Sequence, residues 1–163
     1  MSVYNIYNVY NVYNVGFDFD GVIHRNVSKP DKNGQIHPSI PFNQIPSSKF
    51  DIIIDLIKFY KNHNYNCYII TARTSHYKKL IRTTLDNFGI DSTIIPDYNI
   101  ITTGDTGGCK NNYLEQLNIC DFYDDSINIF VAIKKEKQQK KLKNLKNCYI
   151  TYPENNLIKK ILL

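Results

Sequence analysis

The amino-acid sequence predicts an α/β fold, a three-layer sandwich with a mostly parallel central sheet, on three observations. Short runs of strand-forming residues alternate along the chain with segments of helical apolar period. Turn and capping residues separate the two kinds of segment. The chain has 163 residues, 42% of them hydrophobic, which suits one domain with its own core.

The elements follow in order. Residues 3–15 repeat a Val/Ile-Tyr-Asn triplet. A period of three matches neither the strand's 2 nor the helix's 3.6 and defines no buried face, so residues 1–11 read as a low-complexity leader and 12–163 as the domain. Val12 to Phe19 reads as a strand running into the turn Asp20-Gly21. Four of the six prolines fall between Val22 and Pro46, where no helical period exists, and Asn33-Gly34 is a two-residue hairpin signal. Residues 22–46 are therefore expected to form a flap beyond the first strand, since a connection this long in a compact domain is usually functional. Ser47 to Asn62 is a predicted helix, capped by Ser47 or Ser48, with Phe50, Ile53, Ile54, Ile57 and Tyr60 on one face. Asn66 to Ile70 is a short buried strand ending at Thr71, and Ser75 to Phe88 a helix stopped by Gly89. Asn99 to Thr102 is a strand, Lys110 to Leu117 a short helix, and Cys120 to Tyr123 a strand ending at Asp124-Asp125. Ser126 is expected to cap a long helix to about Leu145, and Cys148 to Thr151 and Leu157 to Leu162 close the chain as strand and helix.

Composition narrows the function classes. No apolar run approaches the roughly 20 residues of a membrane-spanning helix. No basic stretch leads into an apolar segment at the start, so a cytoplasmic location without a signal peptide is expected. Cys67, Cys109, Cys120 and Cys148 show no zinc-ligand spacing and read as reduced thiols. The net charge of +5 is local: residues 134–146 hold seven lysines and one glutamate, a sum of +6, which leaves −1 elsewhere. That segment is a candidate for binding nucleic acid or a protein partner, against the plainer reading of a solvated helix face.

In an open α/β sheet, ligands bind beyond the carboxyl ends of the strands. There the sequence puts Asp18 and Asp20 after the first strand, Thr71 after the second, and Asp124 and Asp125 after a later one, with Lys110 on the helix before it. Carboxylates gathered in one crevice repel one another without a counter-ion, and oxygen-only donors select a hard cation such as Mg²⁺. A metal, a lysine and a hydroxyl together suit a phosphoryl group. The segment Gly104 to Lys110 is no phosphate-binding P-loop, because Cys109 and Asn111 stand where that motif needs Gly and Ser/Thr. No G-x-G-x-x-G supports dinucleotide chemistry, and the D-x-D precedes the acidic pair, the reverse of a phosphoacceptor receiver domain.

The run Phe17-Asp18-Phe19-Asp20-Gly21-Val22 resembles the first motif of the haloacid dehalogenase superfamily. Ile69-Ile70-Thr71 is similar to its second motif, Lys110 to the third and Asp124-Asp125 to the fourth, in the family's order across about residues 12–130. Lys110 lies closer to Asp124 than is usual for that family. The resemblance implies a HAD-like, Rossmannoid fold and a small phosphatase of the capless type, because 22–46 is too short for a helical cap. It implies Asp18 as nucleophile, Asp20 as acid and base, Thr71 and Lys110 as phosphoryl-binding groups, and Mg²⁺ held by Asp18, the Asp20 carbonyl, Asp124 and Asp125. Arg73 is expected to meet either substrate phosphate or a neighbouring carboxylate, while His24 and His37 in the flap are either substrate contacts or solvated loop residues. A phosphorylated substrate is implied, with a nucleotide or polynucleotide end favoured by the lysine segment. The alternative is a weakly active or inactive module that binds nucleic acid or a partner through residues 134–146.

Overall fold

The computed structural model describes residues 12–26, 29–30, 32–33, 36–37, 41–104 and 108–162, with backbone alone at 29–30, 36–37 and 108–109. The triplet leader, Gly34 of the flap, and the side chains of His37 and Cys109 lie outside the described residues. Six strands form one sheet in the order β5-β4-β1-β6-β7-β8, made of β1 (Asn14–Phe17), β4 (Asn66–Thr71), β5 (Ile100–Thr102), β6 (Ile119–Asp124), β7 (Asn147–Tyr152) and β8 (Leu157–Ile161). Every pairing is parallel except that of β7 with β8. β2 (Lys29–Pro30) and β3 (Ile36–His37) pair antiparallel as a separate two-stranded flap where the Asn33-Gly34 signal lies.

Side chains alternate across a strand, and two cores follow from that. On one face Val15, Phe17, Ile69 and Tyr123 pack with Ile53, Ile54 and Ile57 of α1 (Asp51–Asn62) and Ile81 and Leu85 of α2 (Lys78–Asn87). On the other Ile70, Phe122 and Cys148 pack with Leu114 of α3 (Gly108–Gln116) and Ile129, Phe130 and Ile133 of α4 (Ile127–Gln138). Gly16 points to this second face, where a Cβ would come within 3.0 Å of the Phe122 ring and 3.1 Å of Ile70, so only glycine admits both. The rings of Phe17, Tyr123 and Tyr149 stack across three adjacent strands at 4.9 and 4.5 Å, and Tyr60 and Tyr123 share a buried hydroxyl–hydroxyl bond of 2.9 Å.

Four local expectations are corrected. The first helix starts at Asp51 with Phe50 at its N-cap and no side-chain cap, because Lys49 bridges to His24 and Phe50 N–H bonds Ile23 O in extended backbone. Neither Ser47 nor Ser48 can then cap it. The second helix opens as a 3-10 turn at Ser75–Tyr77 before α2 proper. The basic helix stops at Gln138 rather than near Leu145: Lys141 N–H bonds Glu136 O, Lys140 N–H bonds Lys137 O, and Lys140 is left-handed at φ 60°. That is a Schellman stop, and it turns Leu142 and Leu145 back into the core. The closing segment is a strand, β8, not a helix. Five residues are too few to repay helix nucleation, while Asn156 at φ 51° reverses the chain against the open edge of β7.

From β1 the chain winds outward through α1, β4, α2 and β5, then crosses back to β6 beside β1 and continues through α4 to β7. The direction reverses between β1 and β6. A crevice at such a switch point, outside the carboxyl ends of the strands, is where open α/β sheets bind ligands.

Candidate active site

Asp18 and Asp124 stand on either side of that switch point. Asp18 follows β1 and its N–H extends the ladder to Tyr123 O at 2.8 Å; Asp124 is the last residue of β6 and fully buried. Asp125 comes next, and carboxylate oxygens of Asp18, Asp124 and Asp125 all lie within 4.8 Å of one another. Lys110, in the first turns of α3, reaches across from the second face. Its ammonium donates to Asp124 Oδ2 at 2.8 Å and sits 3.0 Å from Asp18 Oδ1. The latter contact is a charge pair without an aligned hydrogen bond, and Asp18 Oδ1 is a buried oxygen with no hydrogen bond among the described residues. Asp124 Oδ1 accepts the Ser126 N–H at 2.8 Å, so Ser126 serves α4 by its backbone and not by its side chain.

The electrostatics follow from burial and crowding. Burial pushes the Asp18 carboxyl up to about 7, with Lys110 opposing and Asp124 and Asp20 adding to the rise. Burial, then the charges of Asp18 and Asp124, push Asp125 up to about 8. Burial works to discharge Lys110, but Asp124 and Asp18 outweigh it and hold the ammonium firmly protonated. One cation thus faces three carboxylates. Three carboxylates around one ammonium, with Asp18 Oδ1 lacking an aligned hydrogen bond, fit a hard divalent cation.

Gly21 shapes the floor. It sits at φ +68°, and a Cβ there would fall 2.2 Å from Asp125 Oδ2. Its carbonyl accepts the buried Thr151 hydroxyl at 2.9 Å, which ties the turn after β1 to the end of β7.

Asp20 is placed differently from Asp18. Arg73 grips its carboxylate with a two-pronged fork, Nε to Oδ2 at 2.9 Å and Nη2 to Oδ1 at 2.6 Å, and His24 Nε2 lies 3.1 Å from Oδ1. Burial acts to raise this carboxyl, but the Arg73 and His24 bonds prevail and hold it at about 2. Arg73 itself is buried between the rings of Phe19 and Phe42, 4.9 and 4.8 Å from its guanidinium, and its Nη1 donates to Phe42 O at 2.9 Å. Of the two partners its position allowed, the guanidinium here takes the carboxylate. Thr71, at the end of β4, is buried; its Oγ1 accepts the Arg73 N–H at 3.3 Å and retains a hydroxyl proton to donate.

The structure therefore gathers Asp18, Lys110, Asp124 and Asp125 into one cluster and ties Asp20 to Arg73 and His24 beside it. His24 is wholly buried and Asn26 N–H donates to its Nδ1 at 3.2 Å, which leaves Nε2 as the donor to Asp20. It is neither a solvated loop residue nor a group facing an open pocket. Its i,i+4 spacing from Asp20 was the available signal. Phe42 carried no signal of its own.

The lysine-rich segment lies elsewhere. The acids sit at the amino end of α4, whereas Lys134 to Lys146 occupy its carboxyl end and the turn leading into β7. A 12-residue helix spans about 18 Å, so those lysines belong to the opposite edge of the sheet.

No protein-family model matches the chain. An uncharacterised protein of Acanthamoeba polyphaga mimivirus is 40% identical over 144 residues, covering 86% of this chain and 28% of its own length. The chain thus spans little more than a quarter of the curated relative it matches. A solved Vibrio cholerae structure, provisionally described as a 3-deoxy-D-manno-octulosonate 8-phosphate phosphatase, superposes with a TM-score of 0.42 at 15% identity, over 76% of this chain and 62% of that one.

Proposed function

We propose that the protein is a Mg²⁺-dependent phosphomonoester hydrolase of the haloacid dehalogenase type, acting through an aspartyl-phosphate. The observation that carries this reading is the convergence of Asp18, Asp124 and Asp125 within 4.8 Å, with Lys110 ion-paired to two of them, at the sheet's switch point. Asp18, Asp124, Asp125 and the Asp20 carbonyl are the groups to hold the ion, which would neutralise charge on a bound phosphoryl group.

In the first half-reaction a carboxylate oxygen of Asp18 attacks phosphorus, and the bond from phosphorus to the leaving oxygen breaks. Asp20 delivers the proton that the leaving oxygen needs. In the second half, water attacks the same phosphorus, Asp20 takes its proton, and the bond to Asp18 breaks to release inorganic phosphate. Lys110 neutralises charge on the nucleophile and Thr71 donates to a phosphoryl oxygen. The Arg73 fork bears on one step in particular. Held at about 2, Asp20 is ionised but a weak base, and it can act as an acid only once the fork releases it. Substrate phosphate, a competing anion for Arg73, is suited to drive that release.

The test is hydrolysis of an aryl phosphate with and without Mg²⁺ by the parent protein and by Asp18→Asn. Metal-dependent turnover that vanishes in the variant is expected. Equal rates in the two would end the proposal.

A further inference from the structure

At the edge opposite the carboxylates, the residues that immediately precede four adjacent parallel strands are Tyr65, Tyr13, Asn118 and Lys146, before β4, β1, β6 and β7. Tyr13 and Tyr65 stack at 5.4 Å and 25°, and Tyr13 remains 40% exposed. The Lys146 ammonium lies 5.0 Å from the Tyr13 ring centroid. Beside this pair, the turn after α4 exposes Lys140, Lys141 and Lys143. Three acids lie nearby, each bonded to a neutral donor, Glu115 to the Lys143 N–H at 3.0 Å, Glu136 to Asn111 at 3.1 Å and Asp121 to Asn147 at 2.7 Å, and the four lysines outnumber them.

We propose that this edge is a binding surface for single-stranded nucleic acid, separate from the catalytic cleft. Lysines follow a phosphodiester backbone, and an exposed, rigidly stacked tyrosine offers a face to any base. Lys146, on a flexible stem, is placed to move from the Tyr13 ring to the phosphate of the base that stacks there. An anionic membrane would meet the lysines equally well, but the exposed apolar side chains of this edge, Val12 and Leu162, are single residues at strand ends and not the continuous apolar face of an interfacial helix, whereas the ring under Lys146 is a tyrosine stacked on a second tyrosine. The inference is independent of the proposed hydrolysis.

The experiment is fluorescence anisotropy of a labelled single-stranded oligonucleotide with hydroxyl ends, which offers the carboxylate cleft no phosphomonoester. Engaging four lysines predicts about 50-fold weaker binding between roughly 50 and 200 mM salt. The triple variant K140E/K141E/K143E, changed only at exposed positions, is expected to lose binding. Tyr13→Ala should weaken it at least about fivefold while Tyr13→Phe retains it, and Asp18→Asn should bind as the parent does. Each of the following overturns the proposal: a salt-independent affinity, binding that survives the triple variant, loss of binding in Asp18→Asn, or a Tyr13→Ala variant that binds oligonucleotide, heparin and phosphatidylserine vesicles as the parent does.

Discussion

Raising the pH of the metal-free protein should destabilise it across a defined window, and magnesium should remove most of that loss. The unfolded chain ionises its aspartates near 3.8, but in the folded protein Asp18 titrates at about 7 and Asp125 at about 8, first because they are buried and then because carboxylates crowd them. Between about pH 4 and pH 8 the folded state therefore holds protons that the unfolded state has released, and stability falls as pH rises. The three units at Asp18 correspond to about 4 kcal/mol. The Asp18 charge is itself a cause of the rise at Asp125, so their contributions overlap and do not add. For a chain of this size about 4 kcal/mol is on the order of 10 °C in Tm. The other shifted groups of the site leave the window clear. Asp20 is depressed to about 2, so the stability it contributes is present above 3.8 and lost only as pH falls through 2; Lys110 is raised, so its contribution is lost only in strong alkali. Thermal melts of EDTA-stripped protein at steps from about pH 5 to pH 8.5, with and without millimolar Mg²⁺, read this directly. The expected result is a falling metal-free Tm, a magnesium gain that grows with pH, and a flatter profile in Asp125→Asn. A metal-free Tm that holds or rises over the window, or a magnesium gain indifferent to pH, would refute the argument.

Two further substitutions probe the neighbouring parts of the site. Arg73→Met removes one partner of a buried ion pair and should cost about 3–5 kcal/mol in a denaturant melt; with the fork gone, Asp20 rises from about 2, so the alkaline limb of kcat/KM, set by the acid of the first half-reaction, should move to higher pH, and an unmoved limb would separate Asp20 from the chemistry. Gly21→Ala places a methyl group 2.2 Å from Asp125 Oδ2 at φ +68°, so it should lower Tm and abolish the magnesium-dependent shift together, and retention of that shift would remove Asp125 from the ion's ligands.

What the sequence made legible was what depends on neighbours within a few positions. The face of α1 carrying Ile53, Ile54, Ile57 and Tyr60 obeys a local period, and the structure buries that face. The acids at the ends of β1 and β6 were readable because a strand that stops at a carboxylate stops at the sheet's rim. Features fixed by distant pairings were not readable. Ser48 cannot cap α1 because Arg25 N–H bonds its carbonyl at 2.9 Å, a pairing of two loops that no local propensity signals. Leu157–Ile161 became a strand because β7 had an open edge to offer. Arg73 is the sharpest case. Two residues beyond Thr71, it was equally able to face an incoming phosphate or a resident carboxylate. The choice was made by Phe19 and Phe42, which hold its guanidinium between their rings from 54 and 31 positions away, and by Asp20, which offers two oxygens at the spacing of its fork.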